Sequence, residues 1–213
     1  MSKEENIQIK SKERVSKHGE VYTNEREVNA MLDLVKDETL RIDSRFLEPA
    51  CGNGNFLVKI LERKLKVVSE KYAKHQSEWE FYSLQAISST YGIDILEDNC
   101  EECRIRLLSI YTECYTSLYK KRIKQECILT AKYLLDKNII CGDALNLKTS
   151  KGEDIVFAEW SFIAKNKVKR IDYTMQELLA ADPNSLFPDA QEVKRFPITN
   201  FLKIQEEYEE NQL

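Results

Sequence analysis

Arg45-Phe46-Leu47-Glu48-Pro49-Ala50-Cys51-Gly52-Asn53-Gly54-Asn55-Phe56 is the stretch on which the fold turns. A short apolar strand runs into a glycine turn, and a long amphipathic helix leaves it. Gly52 and Gly54 have no Cβ, so they reach positive φ and let a ligand approach the backbone closely. The helix that starts here aims its unpaired N–H groups at the turn. Glu48 stands at the carboxyl end of the strand, where open α/β sheets bind ligands. A carboxylate there disfavours a phosphate and suits a cation. A glycine turn used for packing alone is the competing reading.

Downstream, Leu57, Ile60, Leu61, Leu65, Val68 and Tyr72 mark one apolar stripe of the long helix. Trp79, Phe81, Tyr82 and Leu84 follow in a shorter helical or irregular piece, as core or lid residues. Tyr91-Gly92-Ile93-Asp94 reads as a second strand ending in an acid. In a dinucleotide fold such an acid accepts from the ribose hydroxyls, usually about 20 residues past the glycines. Asp94 stands 40 residues past Gly54, which requires an extra helical segment between the strands. Otherwise Asp94 is a strand-end acid that caps the next helix. Asp98 and Glu101 read as a further cap pair. Cys100, Cys103, Leu107, Ile110, Cys114 and Leu118 form a helical stripe. Cys100-x-x-Cys103 lies on that stripe with no second pair, so core is favoured over metal or redox chemistry. Lys120, Lys121, Arg122 and Lys124 make a basic knot between two helices, a solvated corner or a phosphate contact. Asn138 to Leu145 is the third strand and its exit loop.

Upstream, residues 1–16 are polar and expected to be flexible. Lys17-His18-Gly19-Glu20-Val21-Tyr22-Thr23-Asn24 follows. His18 reads as a surface residue. Asn24 with Glu27 fits a helix N-cap and its partner, and Val28, Met31, Leu32 and Val35 give that helix one apolar face. Asp37 to Asp43 connects it to the first strand.

The Glu-Pro-Ala-Cys-Gly-x-Gly-x-Phe string resembles motif I of S-adenosylmethionine-dependent methyltransferases. Its form is similar to that of the adenine-N6 DNA methyltransferases of restriction–modification systems. The resemblance implies that Glu48 holds the cofactor ammonium and that Pro49, Ala50, Gly52, Gly54 and Phe56 belong to the loop wrapping its methionine part. The Tyr22-Thr23 segment looks like motif X, whose backbone and threonine hydroxyl reach the cofactor carboxylate; Asn24 stands where the family usually has proline. Gly92-Ile93-Asp94, with Ile95 next, looks like motif II. Gly142-Asp143-Ala144-Leu145 looks like motif III, whose aspartate accepts from the adenine amine. The order X, I, II, III matches the γ arrangement and covers residues 17–158. It implies an α/β fold, a doubly wound, methyltransferase-type (Rossmann-like) sheet with helices on both faces, and S-adenosylmethionine as cofactor.

The pattern breaks where motif IV is due. Asp154-Ile155-Val156-Phe157 is the expected fourth strand, and in the family it leads into Asn/Asp-Pro-Pro-Tyr/Phe, which orients the target amine and stacks on the flipped base. Here Ala158-Glu159-Trp160-Ser161 follows. The prolines are Pro49, Pro183, Pro188 and Pro197, so no Pro-Pro pair exists. Two readings stand. Glu159 and Trp160 are a substitute acceptor and stacking residue, or Trp160–Ala164 and Lys167–Ile171 form a hairpin about Lys165-Asn166, which is favoured. Lys165, Lys167 and Lys169 then share one face, solvated or touching nucleic acid. Thr174 with Glu177 fits another cap. Residues 182–213 are proline-punctuated and then acidic (Glu206, Glu207, Glu209, Glu210), a docking tail or frayed helix. The expected organisation is a flexible 1–16, a cofactor domain at 17–158, and a hairpin, helix and acidic appendage at 159–213.

The totals set outer bounds. The 213 residues suffice for one α/β domain and a small appendage. Hydrophobic residues at 42% and charged residues at 32% are the balance of a soluble chain. No apolar run approaches the roughly 18 residues of a membrane span, and Met1-Ser2-Lys3-Glu4-Glu5 is no signal peptide. The six cysteines are expected as free thiols in the cytoplasm. A net charge of −4 argues against strong DNA binding by this chain alone, because phosphate neutralisation supplies most such affinity. No segment has the size of a target-recognition domain. DNA is therefore expected as a partner reached through another subunit. The alternatives are a non-catalytic cofactor-binding subunit or regulator, and a methyltransferase for another acceptor.

Overall fold

The computed structural model describes residues 11–18, 22–164, 166–180 and 190–210. Residues 12–16, expected to be flexible, lie in a helix, α1 (Lys12–His18). Arg14 anchors it, donating to Asp98 at 2.6 and 3.2 Å and to Asn99 Oδ1 at 3.1 Å. Gly19 to Val21 of the expected cofactor segment lie outside the described residues, as do residues 1–10.

Helix α2 (Glu25–Asp33) starts as its sequence dictates, with the Glu27 N–H donating to Asn24 Oδ1 at 3.0 Å. Its expected apolar face is half realised. Val28 and Leu32 are buried against the next long helix, while Met31 and Val35 are exposed, Val35 lying past the end of the helix at Asp33. A short helix, α3 (Lys36–Thr39), leads to strand β1 (Phe46–Glu48). Then follow α4 (Asn55–Tyr72), α5 (Gln76–Ser88), β2 (Thr90–Asp94), α6 (Glu97–Tyr119), α7 (Gln125–Asn138), β3 (Ile139–Asp143) and a two-residue β4 (Lys148–Thr149). The extra helix demanded by the Gly54–Asp94 spacing is α5, and its Trp79 and Leu84 are fully buried core.

The strands order β1-β2-β3-β4, the first three parallel and β4 antiparallel. The register pairs Glu48 with Gly92 and Asp94 with Cys141, so the acidic strand ends emerge side by side. Right-handed crossovers taken twice in one direction put α4 and α6 on one face of this sheet. A Cβ at Gly92 would lie 2.9 Å from Leu57 of α4, so the glycine lets that helix close on the strand. Lys64 of α4 is wholly buried, with Nζ donating to Ser44 O at 2.5 Å and Ser89 Oγ at 2.6 Å, at the entry ends of β1 and β2.

The buried line of α6 is rotated from the expected stripe. Cys100, Cys103 and Leu107 are buried as read, but the line continues through Tyr111, Tyr115 and Tyr119, leaving Ile110, Cys114 and Leu118 half-buried. The tyrosines win because their rings pack on Trp79, with centroids at 5.8, 5.1 and 5.7 Å. Asp98 and Glu101 do not cap α6. Asp94 Oδ1 accepts from the Leu96 N–H at 2.9 Å instead, and Asp98 is engaged by Arg14.

Among the described residues the fourth strand expected at 154–157 makes no parallel pairing: Asp154 bridges Lys148 of β4 antiparallel. The stretch opens β5 (Val156–Ile163), which pairs along its whole length with β6 (Lys167–Thr174). A hairpin partner three residues away closes a far shorter loop than a parallel partner reached by a crossover. The favoured hairpin is thus present and longer than read, pairing Trp160 with Arg170. Lys165 lies outside the described residues; Lys167 is exposed and Lys169 half-buried. Thr174 Oγ1 accepts from the Glu177 N–H at 3.2 Å and caps α8 (Met175–Ala180). Strands β7 (Glu192–Arg195) and β8 (Thr199–Asn200) both pair with β6, and α9 (Ile204–Glu210) ends the described chain.

This second sheet is not an appendage, and the boundary expected at 158/159 falls inside β5. Phe201, Ile204 and Tyr208 are fully buried in the common core, so the described part of the stretch expected as a docking tail or frayed helix, residues 190–210, packs against the rest of the chain. Tyr91 faces away from α4: its hydroxyl donates to Ala158 O at 2.9 Å and its ring meets Phe157 at 5.4 Å. Asn138 ties both sheets, donating to Ser88 O and Thr90 O and accepting from Trp160 Nε1 at 2.9 Å. The chain is α/β. Among the described residues no strand pairs with the outer edge of β1, and no helix is long and apolar enough to cross a membrane.

Candidate functional site

Three parallel strands ending on the same side leave a cleft of about 510 Å3 beyond their carboxyl ends. β1 delivers Glu48, β2 delivers Asp94 and β3 delivers Asp143, and all three line it. Between β1 and α4 the chain turns through Gly52 at φ 52° and Gly54 at φ 89°, backbone shapes that tolerate few other residues. The turn is tied to β2 by the Cys51 N–H, which donates to Ile93 O at 2.8 Å.

Pro49, Ala50, Gly52 and Phe56 of this turn line the cleft, as do Tyr22 and Thr23 from before α2, Ile95 after β2, and Ala144 after β3. The residues expected to hold a cofactor therefore converge, with one exception. Gly54 is not part of the wall. A Cβ there would lie 2.6 Å from Cys103 Sγ, so Gly54 seats the start of α4 on α6. Gly52 has a different neighbour: a Cβ would lie 3.1 Å from the Tyr22 ring.

Each carboxylate braces its own loop. Glu48 Oε1 accepts from the Ala50 N–H at 3.3 Å, and Asp143 Oδ1 from the Leu145 N–H at 2.8 Å. Asp94 is the most engaged: Oδ2 accepts from Gly52 N–H at 2.9 Å, and Oδ1 from Leu96 N–H at 2.9 Å and Asn99 Nδ2 at 3.2 Å. A carboxylate offers about four lone-pair sites, so each acid keeps acceptor capacity toward the cleft. Among the described residues no lysine or arginine lines the cleft. The wall thus repels phosphate and favours a cation, an amine or hydroxyls. Ile95 and Leu145 are 49% and 96% exposed at its margin, apolar surface placed for a flat partly apolar ligand.

One face of α6 grips the turn, and the sequence reading missed it. Asn99, Glu102, Cys103 and Arg106 recur at helical spacing. Arg106 donates to Asn53 O at 2.7 Å and Asn55 Oδ1 at 2.9 Å, and Asn53 Nδ2 donates to Glu102 Oε1 at 2.9 Å. Asn55 Nδ2 reaches back to Thr23 O at 3.0 Å, joining the segment before α2 to the turn. The i, i+3, i+4, i+7 repeat of these residues is the signal that marks them.

The cysteines beneath the turn are held as thiols. A hydrogen bond with Cys103, and then burial, push Cys51 well up; burial pushes Cys100 up to about 12. Glu159 and Trp160 stay out of the cleft. Glu159 Oε1 accepts from Arg45 Nη2 at 2.5 Å, and Trp160 is buried in β5 against Asn138. The hairpin claims both side chains, so the structure does not support them as a substitute acceptor and stacking pair. In the basic knot, Lys124 pairs with the buried Glu80 at 2.6 Å. Comparison with protein-family models, with curated proteins and with solved structures finds no match in any of the three.

Proposed function

We propose that this chain binds S-adenosylmethionine in the cleft at the ends of β1, β2 and β3. The observation that carries the reading is the acidic trio of Glu48, Asp94 and Asp143 around a glycine turn, with no basic residue in the wall among the described residues. In this reading Glu48 receives the ammonium, the spare acceptor sites of Asp94 take the ribose hydroxyls, and Asp143 takes the adenine amine. Thr23 and the first N–H groups of α4, which have no intrahelical partner, receive the carboxylate. When bound, the cofactor supplies an activated methyl group. The finer fold in this reading is one half of a doubly wound methyltransferase sheet, in the order 3-2-1, the switch point lying at β1.

The wider function we propose is the cofactor-binding part of an adenine-specific DNA methyltransferase of a restriction–modification type system. A partner subunit would carry target recognition and the residues that orient the adenine amine. The absence of a Pro-Pro pair and the placement of Glu159 and Trp160 in the hairpin support that division. The same observations favour, as a second reading, a regulator that binds the cofactor without catalysis. Isothermal calorimetry on the whole chain tests the shared core of both: saturable heat with S-adenosylmethionine is expected, and silence at millimolar cofactor with a folded protein refutes it. Methyl transfer to DNA that appears only with a partner separates the first reading from the second.

A further inference from the structure

Asn99 is 1% exposed, on the first turns of α6, and its amide sits between three functional groups. Its Oδ1 accepts from Tyr22 Oη at 3.1 Å and from Arg14 Nη2 at 3.1 Å, and its Nδ2 donates to Asp94 Oδ1 at 3.2 Å. The partners fix the amide orientation. A guanidinium only donates, so the atom facing Arg14 is the oxygen; a carboxylate only accepts, so the atom facing Asp94 is the nitrogen. At neutral pH no other side chain of this size offers an acceptor on one side and a donor on the other in one plane. Leucine matches the shape and offers neither; aspartate offers an acceptor on both.

We infer that Asn99 is the positioning residue of the cleft: it sets the Asp94 carboxylate and the Tyr22 ring against the glycine turn, so that the ligand meets them already oriented. The inference rests on the reading of the cleft as a cofactor site. Asp94 held by Asn99, Leu96 and Gly52 loses little freedom when a ligand binds, and a preoriented acceptor gives affinity by cutting that ordering loss. Tyr22, held through its hydroxyl, keeps its ring against Gly52, the face a Cβ would invade. Arg14 extends the network to α1.

The deciding variant is Asn99→Asp. It keeps the shape and the acceptor for Tyr22 and Arg14 but sets an acceptor against Asp94. The charged groups facing the position are Arg14 from α1 and Asp94 from β2, with Asp98 on the same guanidinium. At pH 7 the variant is expected to bind S-adenosylmethionine at least about tenfold more weakly, the loss of one hydrogen bond to a charged group. The ratio of its dissociation constant to that of the wild type should shrink toward pH 5.5, where the introduced carboxyl takes a proton and donates to Asp94. A ratio within twofold of one at pH 7, or a loss that does not shrink with acid, overturns the inference. If the variant unfolds, Tyr22→Phe decides, since it removes only the hydroxyl that pins Asn99: a several-fold loss of affinity is expected, and none overturns it. Wild-type protein that binds no S-adenosylmethionine refutes the cofactor reading instead. The positioning role is then read in ligand-free protein by amide hydrogen exchange at Gly52 and Leu96, which Asp94 holds. Faster exchange in Asn99→Asp is expected, and unchanged exchange overturns it.

Discussion

Replacing Lys64 with methionine should invert its effect on stability between acid and base. The Lys64 side chain is wholly buried, and burial lowers its pKa from 10.5 to about 7. A lysine whose folded pKa is depressed is a liability when charged. Below pH 7 folded and unfolded chains both hold the proton, and the folded chain bears the full penalty, roughly 5 kcal/mol for a gap of this size. Between pH 7 and 10.5 the unfolded chain binds more protons, so stability rises with pH, and above that window the penalty is gone. Against this stand the bonds from Nζ to Ser44 O and Ser89 Oγ. Losing them leaves buried acceptors at about 1–3 kcal/mol. Ser89 Oγ keeps contacts to Ile42 O and Ala86 O, so Ser44 O is the main orphan. At pH 6 removing the charge outweighs the orphan, and Lys64→Met is expected to be roughly 2–4 kcal/mol more stable than wild type. At pH 10 the remaining penalty is about 1 kcal/mol by the same linkage, and the variant is expected to be the less stable of the two. Urea unfolding of both proteins at pH 6, 8 and 10 under reducing conditions measures the difference. A difference that stays constant across that range would refute the burial argument.

Asp94→Ala is expected to weaken S-adenosylmethionine binding by about 1.5–3 kcal/mol and also to lower the melting temperature, since the Gly52 and Leu96 N–H groups lose their acceptor; calorimetry and thermal melts on one sample check both. Gly54→Ala should destabilise by about 1–3 kcal/mol through its positive φ and the overlap with Cys103 Sγ, and Cys103→Ala should recover the overlap share alone in a double-mutant cycle by urea unfolding. The isolated chain is expected not to transfer tritiated methyl groups to unmethylated genomic DNA, and Glu159→Ala to leave cofactor affinity unchanged, because that carboxylate binds Arg45 rather than the cleft; robust incorporation by the wild-type chain alone would overturn the division of labour.

The half that carries the cleft was readable because its signals are local. The turn at Gly52 and Gly54 needs residues without Cβ, the α4 stripe repeats at helical spacing, and acids at strand ends stand next to apolar runs. The rest depends on partners distant in sequence. The α6 line rotated toward Tyr111, Tyr115 and Tyr119 because an aromatic ring buries its body whatever its polar tip suggests, and Trp79 waited for it. Asn99, Glu102 and Arg106 went unread, since helical spacing alone does not say that a loop will lie on them. Strand 154–157 looked parallel because the motif order placed it so, while its pairing was settled by the hairpin. Arg170 is the sharpest case. A charged residue in an alternating strand reads as exposed, yet it is buried, paired with Asp172 at 2.7 Å and set 4.0 Å from the Phe196 ring centroid.

Asn138 bears on how this molecule can be divided. One amide holds the Ser88 and Thr90 carbonyls, at the entry to the strand that ends in Asp94, and accepts from Trp160 of the antiparallel sheet. A chain terminated after Ala158, where the expected cofactor domain ends, loses that indole, the β6 partner of β5 and the cover provided by Phe201 and Tyr208. The cleft would survive on paper, with every lining residue retained, and its scaffold would not. The two sheets should therefore melt in a single transition, and proteases should find no early cut between them. Grafting the glycine turn onto another protein means carrying the hairpin along, because the cleft and the sheet behind it are one cooperative unit.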